Sequence, residues 1–216
     1  NDPRKAAFTW GSAQGFEDYD KLIAGLTADN ELNERSSLKT TLYTQWRDAY
    51  EPRPFNILDE KVLGFGVRSR YQYQVSGMSK LSIGFEAYQD QYDWKTYDNL
   101  YQDFPGEGSV QGGEVLSEFS EQRSFLNGFA ELEQQLSSQW ILTGGLNINR
   151  TNYELDDLAN AGTDDQSGDY SFDWNVSPRL ALAYTPIGTS TVYASISHGF
   201  SPPSLEETLA PDGRIN

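Results

Sequence analysis

Apolar and polar side chains alternate with a period of two along much of this 216-residue chain. In residues 38–46, for example, Leu38, Leu42 and Trp46 fall on one face of an extended chain, and the other face is mainly polar. Successive side chains of a strand point to opposite faces, so the pattern predicts strands. Eight segments show it: residues 21–28, 38–46, 62–75, 81–87, 126–136, 140–148, 178–184 and 192–196. A candidate for an extra strand lies near residues 4–11.

The connections between these segments are of two kinds, which alternate along the chain. Short polar turns are predicted near residues 29–35, 76–79, 136–139 and 186–190, and turns this brief reverse the chain in a hairpin. Long connections are predicted at residues 48–61, 93–122 and 151–173, and after His198. The expected sheet therefore has short turns at one end and long loops at the other.

Segment length bears on the architecture. Strands of soluble proteins average about five or six residues, whereas a tilted strand needs about nine to eleven to cross a bilayer. Aromatic residues also cluster where strands run into the long connections, as in an interfacial belt: Trp46, Tyr50, Tyr88, Tyr92, Trp94, Tyr97, Tyr153, Tyr170, Phe172 and Trp174. We therefore predict an all-β fold, an antiparallel transmembrane β-barrel segment of about eight long strands with short periplasmic turns and long extracellular loops.

Alternation alone does not separate a barrel from a soluble antiparallel sandwich, because both have one polar and one apolar face. Two alternatives therefore stay open on the residues alone. One is a soluble, acidic β-sandwich that binds glycans through loop aromatics. The other is a self-contained small outer-membrane barrel.

The chain is strongly acidic, with 32 Asp and Glu against 16 Lys and Arg and a formal net charge of −16. Binding to the phosphate backbone needs a basic face, so this balance argues against a nucleic-acid partner. Two of the long connections, residues 93–122 and 151–173, together hold 14 acids against one lysine. The negative charge is therefore concentrated at the end of the sheet that carries the long loops.

Residues that carry chemistry are few. With no Cys, one His and one Met, the chain has no disulfide framework, no thiolate nucleophile and no multi-histidine metal cluster. Adjacent acids such as Asp156 and Asp157 would point to opposite sides of an extended chain, which does not suit a glycosidase pair. We predict no catalytic residue, no metal site and no cofactor, and hence a protein that is not an enzyme.

Three segments resemble the barrel domain of TonB-dependent outer-membrane receptors. They are residues 50–60 (YEPRPFNILDE), 177–180 (SPRL) and 192–207 (VYASISHGFSPPSLEE), of which the last is the most specific. The whole stretch looks most like receptors of the ferric dicitrate and siderophore branch. It departs from the family at Ser201, where the wider family often has a basic residue, so Ser201 is given no binding role.

This resemblance implies that residues 1–216 are part of the barrel domain, about eight strands of a roughly 22-stranded barrel. The plug domain and the C-terminal strands would lie outside these residues. The implied function is an outer-membrane receptor and transporter for energy-coupled uptake of a ferric chelate, either a siderophore or ferric citrate. The implied partners are the chelate, the TonB complex acting through the plug, and lipid of the cell outer membrane.

In a barrel the polar face of each strand lines the interior, and strand parity places most of the cations there: Lys39, Arg47, Arg68, Arg70, Arg123 and Arg179. Arginine offers a bidentate fork to carboxylate or phosphate groups, which suits an anionic chelate. We predict ligand-binding roles for Arg53, in the family-like segment, and for Arg68, Arg70 and Arg179. The alternative is that interior arginines hold the plug or pair with carboxylates of the same wall, namely Glu86, Asp90, Glu131 and Glu133.

The acidic loops argue against an anionic ligand, because they repel it unless salt screens the repulsion, which it does over a Debye length of about 8 Å. Either the loops bind divalent cations along with lipopolysaccharide, or the ligand is only weakly charged. The opposite, apolar face of the strands is predicted to contact lipid through Leu63, Phe65, Leu81, Ile83, Phe85, Leu142 and Leu146.

Overall fold

The computed structural model describes residues 8–160, 162–187, 190–199 and 201. These ranges contain a short helix, α1 (Phe8–Ala13), a 3-10 turn (Gly162–Asp164) and nine strands. The strands are β1 (Asp18–Asn33), β2 (Ser36–Arg53), β3 (Asn56–Ser76), β4 (Ser79–Asn99), β5 (Gln111–Gln135), β6 (Trp140–Asp157), β7 (Gly168–Ser171), β8 (Asn175–Ile187) and β9 (Ser190–Ser197). Within the described ranges no helix has the length and apolar character needed to cross a membrane.

All nine strands form one antiparallel sheet in the order β1-β2-β3-β4-β5-β6-β8-β9, and β7 pairs with β6. This confirms the predicted all-β antiparallel fold, and each of the eight alternating segments lies within one long strand to within a residue. A sandwich needs two sheets packed face to face, whereas the described residues form one sheet. The sheet is open, with β1 and β9 at its edges.

The extra strand near residues 4–11 is wrong for residues 8–11, which lie in α1; residues 4–7 lie outside the described ranges. Ala13, at the end of the helix, is fully buried, and its carbonyl accepts a hydrogen bond of 2.6 Å from the Ser109 hydroxyl. Packing against the connection after β4 therefore overrides an alternation that covers only a few residues.

The long connection predicted at residues 48–61 is also wrong, because β2 and β3 run through it and meet at a two-residue turn, Pro54 and Phe55. β4, β5 and β6 likewise extend into the other predicted loops. The connections that remain at this end are residues 100–110 and residues 158–174, the second of which includes β7. Most of the segment after His198 lies outside the described ranges.

Charged side chains interrupt the otherwise apolar face of these strand extensions, while the other face stays polar, as at Glu60, and this hides the alternation. Lys61 Nζ lies 3.6 Å from Asp48 Oδ2 on the neighbouring strand, and Lys95 Nζ lies 2.8 Å from Glu118 Oε1. The hydrogen bond to Glu118 raises the pKa of Lys95 above its ordinary value. Where both faces contact water, no apolar stripe marks the strand.

One face of the sheet, which we call the outward face, carries an apolar band; Leu42, Phe65 and Leu146 on it are 56, 58 and 50% exposed. The band runs obliquely to the strands. On β1 the outward apolar residue nearest the loop end is Leu22, and the next outward residue in that direction is Asp20. Followed from strand to strand across the sheet, the register places Leu22 level with Glu154 of β6. On β6, however, the last apolar outward residue is Ile148, six residues nearer the turn.

This offset measures the tilt of the strands against the band. Six residues span about 20 Å along a strand, and five strand spacings span about 24 Å across the sheet. The band border is therefore inclined by about 40° to the perpendicular of the strands, within the roughly 35–45° tilt of transmembrane barrel strands. The outward face thus has the geometry expected of a sheet that crosses a bilayer obliquely.

We expect Ile83→Arg, within the band on β4, to lower the free energy of unfolding by about 2–4 kcal/mol if this position lies near the bilayer midplane. The matched control is Gln89→Arg, on the outward face of the same strand but beyond the apolar run, where the cost should be about 0–1 kcal/mol. Unfolding of the full-length protein in phospholipid vesicles measures both. Equal costs would contradict lipid contact at Ile83.

Candidate functional site

The opposite face carries a group of side chains that we call the polar-face cluster. It consists of Tyr43, Gln45 and Arg47 of β2, Glu60 and Arg68 of β3, Glu86, Tyr88, Asp90 and Tyr92 of β4, and Arg123 of β5. A groove of about 310 Å³ on this face is lined by side chains from five strands, β1 to β5. Side chains so far apart in the sheet line one groove because the polar face is concave.

Two glycines of β3 give the tyrosines of the cluster their room. Gly66 lies in register between Tyr43 and Tyr88, and a Cβ at Gly66 would overlap the Tyr43 ring. A Cβ at Gly64 would overlap the Tyr88 hydroxyl in the same way. The two rings therefore stack across β3, with centroids 5.9 Å apart and planes 8° apart.

Each carboxylate of the cluster is held by an arginine and a tyrosine. Glu86 Oε1 accepts hydrogen bonds from Tyr43 Oη at 2.7 Å and from Arg68 Nη2 at 2.6 Å. The buried Asp90 accepts two bonds from Arg123, Nε at 3.1 Å and Nη2 at 2.5 Å, and a third from Tyr88 Oη at 3.0 Å. Bidentate, charge-assisted bonds of this kind fix both partners in one geometry.

The third carboxylate, Glu60, follows the same rule. It is buried, and it accepts a hydrogen bond of 2.6 Å from Tyr92 Oη and an ion pair of 2.7 Å from Arg47 Nη1. A second nitrogen of Arg47 reaches Glu17 at 2.7 Å. The cluster therefore matches its arginines with carboxylates one for one, which leaves little net charge on this part of the wall.

A second groove, of about 660 Å³, lies on the same face near the 54–55 turn and the loop connections. Five of its lining residues are aromatic, and among them Tyr92 stacks on Trp94 at 4.7 Å and Trp94 stacks on Phe119 at 5.1 Å between centroids. Arg53, Arg123 and Glu121 also line it. The groove therefore combines ring faces with charged groups of both signs.

Arg53 is held in the second groove by its neighbours. Its Nε donates to Asn56 Oδ1 at 2.9 Å, and its guanidinium lies 4.9 Å from the centroid of the exposed Phe55 ring. Its carbonyl accepts a hydrogen bond from the buried Asn99 amide at 2.9 Å. Asn99 also donates to Ser109 at 2.8 Å, so one side chain ties the 54–55 turn to the connection after β4.

The other three predicted site residues lie closer to the opposite end of the strands. Arg68 pairs with Glu86, and the exposed Arg179 of β8 lies 3.8 Å from Glu131. Arg70 is exposed and makes no ion pair with any described residue. Arg68 and Arg70 are separated from Arg179 by the three strands β4 to β6, so the four arginines do not form a single site. Their role in ligand binding stays a prediction.

Sequence reasoning missed the tyrosines and glycines that shape the cluster. Parity placed Arg47 and Arg123 on the interior face, but Tyr43 was given no role. Tyr88 was assigned to the interfacial aromatic belt, whereas its ring lies on the polar face against Tyr43 and Asp90. A usable signal was present in Gly64 and Gly66, two glycines at successive positions of the polar face within a long strand. Glycine inside a strand often marks the close approach of another group. Within the described ranges, no group of three or more His, Asp or Glu side chains is placed to hold a metal ion.

The sequence matches a family model described as TonB dependent receptor-like, beta-barrel, over residues 1–216. The chain belongs to this family. No curated protein sequence matches it. TonB-dependent receptors are therefore the class within which the polar face and its grooves have to be interpreted.

Solved structures share the fold at low sequence identity. The copper transporter OprC matches with a TM-score of 0.70 and 15% identity over 93% of this chain and 34% of its own. The alcaligin outer-membrane receptor FauA from Bordetella pertussis gives 0.68 and 13% over 93% and 32%. The unliganded ferric citrate transporter FecA gives 0.66 and 12% over 84% and 27%. The chain thus spans about a third of these proteins, and identities this low concern the fold alone.

We expect Gly66→Ala to destabilise this receptor chain by about 1–3 kcal/mol, the usual cost of overpacking. The new methyl group would displace the Tyr43 ring, and with it the stacking on Tyr88 and the hydrogen bond to Glu86. Gly144→Ala is the control, because a Cβ there meets only Leu180, at 4.0 Å. Chemical unfolding of the full-length protein compares the two; equal stabilities would contradict the steric role of Gly66.

Proposed function

We propose that this chain forms part of an outer-membrane receptor for energy-coupled uptake of a ferric chelate, either a siderophore or ferric citrate. Membership of the TonB-dependent receptor family supports this, as do relatives named for ferric citrate and for alcaligin. The observation that carries the proposal is the second groove near the loop connections, where Arg53 lies beside a group of aromatic rings. TonB would act through a plug domain formed by another part of the protein.

The oblique apolar band supports placement in the outer membrane. It lies on the face opposite the grooves, so lipid would contact one side of the sheet while the ligand passes the other. In this orientation the turns at residues 34–35, 77–78 and 136–139 are periplasmic. The 54–55 turn and the connections 100–110 and 158–174 then face the cell exterior.

The chemistry of the chain favours a chelated metal over a bare metal ion as cargo. OprC is named as a copper transporter, so a metal ion is the other cargo to consider. Copper is bound by thiolate, thioether and imidazole ligands. These 216 residues contain no Cys, one Met and one His, whereas the second groove offers rings and arginines. Rings and guanidinium groups recognise the organic part of a chelate.

Arg70→Ala gives the most direct test of the predicted ligand arginines. Because Arg70 has no ion-pair partner among the described residues, its loss leaves no wall carboxylate unpaired and should not change stability. If Arg70 contacts an anionic chelate, losing a charge-assisted hydrogen bond of about 1.5–3 kcal/mol should raise the dissociation constant about tenfold or more. Arg53→Ala should raise the dissociation constant likewise at the second groove, but Arg53 lies 3.8 Å from Glu51, so its stability has to be measured beside its affinity. Ferric citrate and a catecholate siderophore chelate are the two probes, titrated against the full-length receptor.

Arg68→Ala and Arg179→Ala separate ligand binding from wall pairing, because both arginines have carboxylate partners. If these arginines only pair with the wall, thermal stability falls while affinity for both chelates stays intact. If Arg68 and Arg179 bind ligand, the affinity for the chelate falls as well. If Arg70 binds ligand, Arg70→Lys, which keeps the charge but loses the bidentate guanidinium, should have an affinity between those of the wild type and Arg70→Ala. Unchanged affinity in all four alanine variants would remove the arginine assignment and leave the fold standing.

Epitope tags test the orientation of the sheet. Tags inserted at Gly106 and at Gly162, in the two loop connections, should be labelled by antibody on intact cells, because both positions have open space around them. A tag at Gly77, in the β3–β4 turn, should be labelled only after permeabilisation. Labelling of all three on intact cells would contradict the proposed orientation.

A further inference from the structure

Three cations lie on the outward face beyond the border of the apolar band: Lys61, Lys95 and Arg150. Lys61 pairs with Asp48, and Lys95 pairs with Glu118. Arg150 differs from both, because it makes no ion pair with any described residue although the chain carries a formal net charge of −16. Of these three outward cations, Arg150 is therefore the one that lacks a carboxylate partner among the described residues.

Arg150 occupies the first outward position beyond the band on β6, directly after Ile148. Its guanidinium carbon lies 5.8 Å from the centroid of the Trp174 ring, which is 49% exposed. Its Nε is buried with no hydrogen-bond partner among the described residues. A guanidinium is attracted to a tryptophan face, and tryptophan is enriched at the border where a protein meets lipid headgroups.

On β5 and β6, no carboxylate is a direct outward neighbour of Arg150. Leu126 lies opposite it on β5, and Ile148 and Asn152 are its outward neighbours along β6. The first outward acid along β6 is Glu154, about 13 Å away along the strand. β5 and β6 therefore supply no anionic partner for the Arg150 guanidinium at the border of the apolar band.

We propose that Arg150 and Trp174 bind the phosphate of an outer-leaflet lipid headgroup. This inference rests on the proposed outer-membrane placement and adds to it a specific lipid site. Terminal nitrogens of Arg150 donate to phosphate oxygens, a match that guanidinium geometry favours. Trp174 lies in the interfacial region beside the sugar part of the headgroup.

Native mass spectrometry of the full-length receptor, titrated with lipid A in detergent, tests the site. The probes are bisphosphorylated lipid A and its fully dephosphorylated form. Wild-type protein should bind the bisphosphorylated form more tightly, and Arg150→Gln should weaken that binding about tenfold or more while leaving the dephosphorylated form unaffected. The control is Lys61→Gln, an outward cation that already has a carboxylate partner, and it should change neither affinity.

Four results would overturn the lipid site. They are equal binding of the two lipid forms by the wild type, unchanged binding by Arg150→Gln, an equal loss in Lys61→Gln, and complete displacement of the lipid by millimolar inorganic phosphate. The comparison of lipid forms uses the wild type, so it stands even if Arg150→Gln fails to fold. Failure of the membrane placement itself is distinguishable, because the protein would then bind neither lipid form and Ile83→Arg would cost no more than Gln89→Arg.

Discussion

Backbone hydrogen bonding between neighbouring strands is the interaction on which this structure depends. In hydrocarbon, each unpaired N–H or C=O costs several kcal/mol, and a strand satisfies them only through its neighbours. β2 to β5 meet this demand with hairpins whose register continues for 18 or more residue pairs. β1 and β9 each have one unpaired edge, and in a bilayer these edges need further strands beside them.

Once the strands are paired, the alternation of side chains assigns each face its solvent. The outward face becomes apolar over a limited band, and the other face collects arginines, carboxylates and tyrosines. Curvature then brings polar side chains of strands two apart into contact, as Tyr43 and Glu86 show. Glycine in the strand between them makes this contact possible, so the hydrogen-bond network depends on Gly64 and Gly66 as much as on the charged groups.

Sequence analysis could predict the strands wherever one face is apolar, because only there does a period of two stand out. It failed at residues 48–61, where Asp48, Glu60 and Lys61 put charge on both faces of continuous strands. It failed at residues 8–11 because the buried position of Ala13 depends on Ser109, far away in sequence. For the site, parity predicted the pairing partners Glu86 and Asp90 of the wall arginines. The Tyr43–Tyr88 stack could not be predicted, since it requires the strand register.

The charge pairing of the polar face restricts how this wall can treat an anionic ligand. Arg47, Arg68 and Arg123 are each already bound to a carboxylate, two of which are buried. Recruiting such an arginine would leave its carboxylate unpaired at low dielectric, which is costly. An anion on this wall therefore gains most from cations without such a partner, such as Arg70, or from one held at a rim, such as Arg53. The acidic connections repel an anion that comes within a screening length of about 8 Å, whereas salt screens the repulsion at longer range, so a ligand of low net charge reaches those arginines at the lowest cost.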